Sequence, residues 1–345
     1  MGLHIQINSI VKKHDIKEDY AMIIEHLSSA VRYTGRWVMK DTVAQTTTPG
    51  AMLEIAFTGN ACVLLFDVNM NFDPYPHVYI QVDDGARVET RIDHYVRVEA
   101  PEGGNHVLKM IFKSAMENQP RWHEPLVGKI SFKGAEAEAE GVLPRDNREI
   151  IEFIGDSITE GIWVDDARKP YSFGQYNMVY QNDATATYAY LTAQALGMRP
   201  YIMGYGAVGV TKGGNGGVPK VIEAYPYYFD KIPAKPSGAK IIVINHGAND
   251  HLAAAEDYVE GYARFLDLVR QRNPEAKIVA LSAFGGYHHT ELGEMITRYN
   301  QSRRAEVSFI DSTGWIPVQP MHPLRQGHET VARHLIPLLK KILED

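Results

Sequence analysis

The sequence predicts an α/β protein in which an antiparallel β-sandwich, residues 1–140, precedes a parallel-sheet domain, residues 149–345. In the first part, short β-branched runs are punctuated by Gly, Asp and Pro, which is typical of a sandwich. In the second part, apolar strands alternate with amphipathic helices, which is typical of a parallel sheet covered on both faces. A chain of 345 residues, 45% of them hydrophobic, is long enough to bury two cores.

Short strands that end near turn-forming residues are expected throughout the sandwich. They span residues 51–57, 61–68, 77–82, 88–92, 95–98, 106–112 and 127–132. Residues 16–32 suggest a helix in this region. Residues 134–141, which are small and polar, suit a linker between the two domains.

Strands and helices alternate in the second domain. The strands are expected at residues 150–154, 200–203, 240–245, 277–282 and 307–310. Helices are expected at residues 185–196, 258–269, 292–299 and 331–342, and the first of them is capped by Asp183. This alternation predicts three layers, with a five-stranded parallel sheet between two layers of helices.

Charge and composition exclude two classes of partner. The formal net charge is −7, and Lys and Arg form no long runs, so nucleic acid is not expected as a ligand. No segment is apolar over the length of a bilayer, and the first residues lack the apolar stretch of a signal peptide. We therefore expect a cytoplasmic protein without a membrane partner. The sequence does not decide whether the protein forms a homo-oligomer. The single cysteine, Cys62, lies in an apolar run and is expected to be buried.

Reactive residues follow the predicted parallel strands at the point where each strand ends. Ser157 lies in a Gly-Asp-Ser-Ile-Thr turn after the first strand, and the second strand is followed by residues 204–209, which we call the glycine loop. Asn249 follows the third strand, and His322 follows the last. Ligands of open parallel sheets bind at this edge. A serine nucleophile, a histidine base and donors for an oxyanion are the parts that acyl transfer requires.

These four segments resemble the SGNH (GDSL-like) hydrolase superfamily, whose blocks are named for Ser, Gly, Asn and His. The resemblance implies that Ser157 is the nucleophile, that His322 is the general base, and that neither a metal nor a cofactor takes part. It also implies an oxyanion hole formed by the N–H groups of Ser157 and Gly206 and by the side-chain amide of Asn249. The first and last glycines of the glycine loop compete with Gly206 for this role.

One position departs from the superfamily pattern. An Asp three residues before the histidine usually orients the imidazole, and Gln319 stands there in this sequence. Three candidates could orient His322: the Gln319 side chain, a main-chain carbonyl of Gln319 or Pro320, and Asp311. The sequence therefore favours a Ser–His dyad over a triad.

The N-terminal part looks like the jelly-roll sandwich that precedes the SGNH domain in carbohydrate esterase family 2. The matching segments are residues 33–37, 49–50, 82–85 and 103–108. The resemblance implies a serine carboxylic-ester hydrolase that removes acetyl groups from plant-type oligosaccharides, with acetylated xylo-, manno- or gluco-oligosaccharides as substrates. Two alternatives stay open: a GDSL-type lipase or thioesterase that acts on longer acyl esters, and a non-catalytic sugar-binding protein.

Other polar and aromatic residues fit structural roles better than chemical ones. Asp156 is expected to support its turn by hydrogen bonds, and Trp37 and Trp122 are expected to pack in the core. Residues 213–217 are expected to form a flexible loop rather than a phosphate site, because no Lys-Ser or Lys-Thr pair follows them. The aromatic loop within residues 163–183 lines a sugar subsite, forms a subunit contact or covers the surface.

Overall fold

A computed structural model describes residues 5–7, 22–101, 103–165 and 178–345, with the backbone alone at residues 5–7. Two antiparallel sheets precede a five-stranded parallel sheet that has helices on both faces. This arrangement confirms the predicted fold class. The domain limits 1–140 and 149–345 stay a prediction, and residues 141–149 contain neither strand nor helix.

The strands of the two antiparallel sheets follow one another along the chain. They are β1 (Ile5–Ile7), β2 (Met22–Glu25), β3 (Val31–Thr34), β4 (Val38–Met39), β5 (Ala44–Thr46), β6 (Met52–Thr58), β7 (Ala61–Phe66), β8 (His77–Val82), β9 (Val88–Arg91), β10 (Tyr95–Glu99), β11 (Asn105–Ser114), β12 (Ile130–Ala137) and β13 (Ala139–Glu140). One sheet has the order β1-β10-β7-β12-β5-β4, with β2 also paired to β12. The other has the order β13-β6-β11-β8-β9, with β3 also paired to β6.

Strand β6 is buried on both faces. Leu53, Ile55 and Phe57 have no exposed surface and pack among apolar side chains of the two antiparallel sheets. Met52 packs instead with residues of the parallel sheet, and its Sδ accepts a hydrogen bond from the Tyr190 hydroxyl at 3.5 Å. One sheet of the sandwich therefore packs against the C-terminal region.

Three residues expected in cores are buried in the structure. Trp37 is 4% exposed and Trp122 is 3% exposed, so both indoles pack in the interior as predicted. The Cys62 thiol has no exposed surface, and burial raises its pKa well above the ordinary value. Cys62 is therefore a small hydrophobic residue of the sandwich core, as predicted.

The helix predicted for residues 16–32 is wrong. Its described part contains strands β2 and β3, and its first six residues lie outside the described part of the chain. Ile24 pairs with Ala135, and Val31 pairs with Ile55, in antiparallel ladders. These pairings are with distant strands, and a short segment has too weak a helix preference to resist them.

The linker predicted at residues 134–141 is also wrong. Strand β12 continues through this segment, and β13 follows it directly. Ala135 and Ala137 have no exposed surface, whereas Glu136 between them is partly exposed. The Ala-Glu alternation is thus the period-two pattern of a half-buried strand, and the small, polar composition concealed it.

Five parallel strands form the sheet of the C-terminal region. They are β14 (Ile150–Gly155), β15 (Arg199–Gly204), β18 (Ile241–Asn245), β19 (Lys277–Leu281) and β20 (Val307–Ile310), while β16 (Tyr227–Phe229) and β17 (Ile232–Pro233) form a separate hairpin. The sheet order is β15-β14-β18-β19-β20, so the winding direction reverses beside β14. Such a reversal opens a crevice at the carboxyl ends of the strands, and this positions the site at the end of β14.

Helices cover both faces of the parallel sheet. They are α1 (Ser157–Glu160), α2 (Met178–Gln181), α3 (Tyr188–Ala195), α4 (Val221–Ala224), α5 (Ala255–Arg272), α6 (His289–Arg303) and α7 (Arg325–Glu344). Apolar side chains of α3 and α7 pack with Ile151 and Phe153, whereas those of α5 and α6 pack with Ile154 on the other face. Among the helices described here, none combines the length and the apolar character needed to cross a bilayer.

The helix predicted at residues 185–196 is divided in two. A 3-10 turn, Ala184–Ala186, precedes α3. The Asp183 carboxylate accepts from the Thr185 N–H at 2.8 Å, and the Thr187 hydroxyl accepts from the Tyr190 N–H at 3.3 Å. Each of these two side chains caps its own turn, so the chain changes direction between them.

Candidate active site

Ser157 stands at the carboxyl end of β14, as the first residue of α1. The Asp156 carboxylate caps this helix by accepting from the Ile158 N–H at 2.9 Å. The turn is tight, because a β-carbon on Gly155 would lie 2.1 Å from the Thr159 hydroxyl oxygen. The glycine and the cap together raise the serine off the sheet edge, which is the position a nucleophile needs.

His322 is in hydrogen-bond contact with Ser157. It lies between β20 and α7, and its Nε2 is 2.8 Å from Ser157 Oγ. Ser157 is 5% exposed and His322 is 9% exposed. Burial lowers the pKa of His322 to about 4, so the imidazole is neutral near pH 7 and Nε2 can accept the serine proton. The structure thus brings the predicted nucleophile and the predicted base together.

The structure describes the three candidates for orienting His322, and two of them have other surroundings. Gln319 is exposed and lines a surface groove with Pro320. The Asp311 carboxylate instead accepts from the Thr313 N–H at 2.9 Å. The group that orients His322 therefore stays a prediction from the sequence.

The Asn249 amide lies beside the residue that precedes the nucleophile. Asn249 is in a 3-10 turn, Ala248–Asp250, and its Nδ2 is 3.2 Å from Asp156 Oδ2 and 3.1 Å from Val208 O. Asp156 is 1% exposed, and burial, with smaller contributions from nearby carboxylates, raises its pKa to about 7. An oxyanion at Ser157 would have to share or replace one of these two hydrogen bonds of Asn249.

Gly206 does not offer a free donor in this structure. Its N–H donates to Glu160 Oε2 at 2.8 Å, and Glu160 is 2% exposed. The N–H of Gly209 is also used, because it donates to Lys212 O at 3.0 Å. The assignment of Gly206 to the oxyanion hole is therefore corrected: a buried carboxylate already accepts its hydrogen bond.

Two backbone N–H groups at the site have no acceptor among the described residues. One belongs to Ser157, as the sequence predicted. The other belongs to Ala207, which the sequence analysis passed over; it is partly exposed and has a φ of 60°. A positive φ is uncommon for a residue other than glycine and often marks a functional turn. The structure thus makes Ala207 a second backbone donor candidate beside Ser157.

The residues around Asn249 hold the neighbouring loops together. The Asp250 carboxylate accepts from the N–H groups of Val210 and Thr211 at 3.0 and 2.8 Å. His328, inside α7, accepts from the Tyr188 N–H at 3.1 Å and has no exposed surface. Both residues therefore have structural roles.

Two loops and the possibility of a metal site were also considered from the sequence. Residues 213–217 include a 3-10 turn, Asn215–Gly217, and Gly216 O in this turn accepts from the Arg121 N–H at 3.1 Å. Within the described residues, no group of three or more His, Cys, Asp or Glu side chains could hold a metal ion. Most of the aromatic loop lies outside the described part, since residues 166–177 are not described.

We expect the activity to persist at acidic pH, because the base is held neutral. Protonated His322 cannot accept the serine proton, and its pKa is lowered from 6.5 to about 4 by burial. The value of kcat/KM should therefore fall to half near pH 4 rather than near pH 6.5. The measurement is kcat/KM on 4-nitrophenyl acetate across this range, with residual activity at neutral pH checked after each incubation. A midpoint between pH 6 and 7 would contradict the burial of His322 in solution.

The sequence of this chain is similar to a known protein family and to two characterised esterases. A family model described as the GDSL-like lipase/acylhydrolase family matches residues 153–329. Cellulase/esterase CelE of Acetivibrio thermocellus is 27% identical over 243 residues, which cover 64% of this chain and 29% of that protein. The chain therefore spans less than a third of CelE. The acetylxylan esterase / glucomannan deacetylase of Cellvibrio japonicus is 24% identical over 294 residues, covering 80% of this chain and 76% of that protein.

A solved structure shares the whole fold. It is that of a family two carbohydrate esterase from Clostridium thermocellum in complex with cellohexaose, with a TM-score of 0.75 and 21% identity. The match covers 91% of this chain and 99% of that one, so the sandwich and the parallel-sheet region occur together in both. The family model covers just over half of the chain and includes Ser157, Asn249 and His322, so the chain belongs to the GDSL-like lipase/acylhydrolase family of ester hydrolases.

Proposed function

We propose that this protein is a carbohydrate O-acetyl esterase that removes acetyl groups from xylo-, manno- or gluco-oligosaccharides through an acyl-enzyme on Ser157. The observation that carries the proposal is the 2.8 Å contact between Ser157 Oγ and His322 Nε2. A neutral histidine in contact with a serine at the carboxyl edge of a parallel sheet is the arrangement that acyl transfer uses.

The reaction follows from these positions. His322 Nε2 takes the proton of Ser157 Oγ as the oxygen attacks the acetyl carbonyl. The tetrahedral oxyanion forms beside the N–H of Ser157, with the Asn249 amide within reach of the same turn. His322 then returns the proton to the sugar oxygen as the C–O bond breaks. Water, deprotonated by His322, attacks the acetyl-enzyme, and acetate leaves while Ser157 Oγ regains its proton.

The surroundings of the dyad support a small acyl group. A narrow apolar cleft is lined by the residues next in sequence to the three site residues, together with others from the loops after β19 and β20; they are Ile158, Ala248, Phe284, Ile316, Val318 and Met321. This apolar lining next to the site residues supports an acyl part that ends in a short apolar group such as the acetyl methyl.

The similarity to carbohydrate esterases supports a sugar as the alcohol part of the ester. The Cellvibrio japonicus relative is named as an acetylxylan esterase and glucomannan deacetylase, and the structurally similar Clostridium thermocellum esterase holds cellohexaose. The sandwich that accompanies the esterase region in that structure is present in this chain. These likenesses support the sugar class, and the sugar itself is what the experiment must identify.

Acetyl preference and sugar preference are tested separately. We expect 4-nitrophenyl acetate to be hydrolysed with a kcat/KM at least about 100-fold above that of the octanoate, since each excluded methylene costs about 1–3 kcal/mol. Met321→Ala, which opens the cleft at an exposed position, should bring the kcat/KM values for acetate and octanoate closer together. Acetate release from acetylated manno-, xylo- and gluco-oligosaccharides is then followed by NMR. A preference for octanoate would favour a lipase or thioesterase and reject the carbohydrate assignment.

A further inference from the structure

Residues 115–129, between β11 and β12, leave the sandwich and pack against the C-terminal region; we call them the sandwich loop. Arg121 in this loop has no exposed surface. Its Nη1 donates to Glu160 Oε1 at 2.5 Å, and its guanidinium lies over the Tyr205 ring with 5.7 Å to the ring centroid. The sandwich therefore places a buried cation between α1 and the glycine loop.

Glu160 connects this cation to the glycine loop. It is the last residue of α1, which begins with Ser157. While its Oε1 faces Arg121, its Oε2 accepts the Gly206 N–H at 2.8 Å. A carboxylate is costly to bury without a partner charge. Arg121 therefore stabilises the group that holds the backbone of Gly206.

The glycine loop extends this support to Asn249. Two residues after Gly206, the carbonyl of Val208 accepts from Asn249 Nδ2 at 3.1 Å. A shift of the loop at Gly206 would therefore move the acceptor that fixes this amide. The contacts run without interruption from the sandwich to the side chain assigned to the oxyanion.

Glu117, another residue of the sandwich loop, also packs against Gly206, at the position that a β-carbon would occupy. A β-carbon at position 206 would lie 2.1 Å from Glu117 Oε1, so only glycine fits there. Glu117 is 4% exposed, and burial together with the nearby Glu160 raises its pKa to about 7. The glycine loop is thus held between one carboxyl group of the sandwich and one of α1.

We propose that Arg121 and Glu160 are positioning residues of the esterase, through which the sandwich fixes the glycine loop and the Asn249 amide. They act through the loop rather than on the ester. In this view the sandwich is a part of the active site and not only a neighbouring domain. The inference rests on the Ser157–His322 site of the proposed function, and it holds for whichever ester the enzyme prefers.

The test uses full-length variants and 4-nitrophenyl acetate, at a temperature at which every variant is folded. Arg121→Met keeps most of the side-chain volume and removes the charge; we expect kcat to fall by about tenfold or more while KM changes by less than about twofold. Arg121→Lys keeps a cation near Glu160 and should recover most of the lost kcat. Glu160→Gln keeps an oxygen for Gly206 but loses the charge, and its kcat should fall several-fold. If Arg121→Met does not fold, the kcat of Glu160→Gln shows whether the ion pair has a positioning role.

Arg36→Met is the matched control. Arg36 is also a buried cation of the sandwich, but its side chain donates to Tyr227 O and lies over the Tyr228 ring rather than contacting Glu160. This variant should lower Tm and leave kcat unchanged. If Arg121→Met and Glu160→Gln also lower only Tm, the ion pair is merely structural and the proposal is wrong. If Ser157→Ala is as active as the wild type, the proposed function fails instead.

Discussion

The Ser157→Ala variant is expected to have a kcat about 10⁶-fold below that of the wild-type enzyme. The substitution removes the oxygen that attacks the ester and that lies 2.8 Å from His322 Nε2. Ser157 is 5% exposed and at the start of a short helix, so the loss of one hydroxyl should change Tm little. The measurement is kcat and KM on 4-nitrophenyl acetate, with Tm recorded for the same preparation.

The histidine provides the control for this prediction. His322→Ala should lower kcat about as far as Ser157→Ala, and the double variant should be no worse than either single one, because both remove the same proton transfer. Mass spectrometry of the wild type after rapid acid quench should show one added acetyl group, which Ser157→Ala lacks. Independent, multiplying losses in the double variant would contradict a Ser–His dyad.

The Asn249→Ala variant is expected to lose about 10²–10³-fold in kcat with little change in KM. Its Nδ2 lies 3.2 Å from Asp156 Oδ2, next to the nucleophile, and can turn toward the charge that develops in the transition state. An interaction made only in the transition state lowers kcat and kcat/KM together when it is removed. The measurement is the pair of kinetic constants on 4-nitrophenyl acetate.

Asn300→Ala is the matched control for Asn249→Ala. The Asn300 side chain also makes two hydrogen bonds, both with the backbone of Val307: it donates to Val307 O at 2.9 Å and accepts from the Val307 N–H at 3.0 Å. Its loss should reduce stability and leave kcat unchanged. If Asn249→Ala keeps kcat within about threefold of the wild type, then the N–H groups of Ser157 and Ala207 hold the oxyanion without the amide.

The sequence was sufficient to predict which reactive residues meet. The apolar periodicity of β14, β18 and β20 and of the helices between them is a local property, so it can be recognised without the fold. The carboxyl ends of parallel strands share one edge, and this rule alone brings Ser157, Asn249 and His322 together from distant positions. The 2.8 Å contact between Ser157 and His322 agrees with that expectation.

Local patterns misled where a distant partner decides the structure. Residues 16–32 have the composition of a helix, and residues 134–141 have that of a linker. Both become strands because they pair with each other: Ile24 lies opposite Ala135 in the ladder between β2 and β12. Neither segment shows in its own composition that a partner more than 100 residues away will bind it.

The sequence by itself determined the fold class and predicted that Ser157 and His322 meet, whereas only the tertiary structure decided what surrounds these two residues. The N–H of Gly206 is taken by Glu160, which is paired with Arg121 from the sandwich. Gln319, at the position of the usual Asp, is exposed and lines a surface groove. The physical reason is that periodicity and turn chemistry are local in the chain. The hydrogen bonds and charges of a buried site are set by packing between elements that the chain order does not relate.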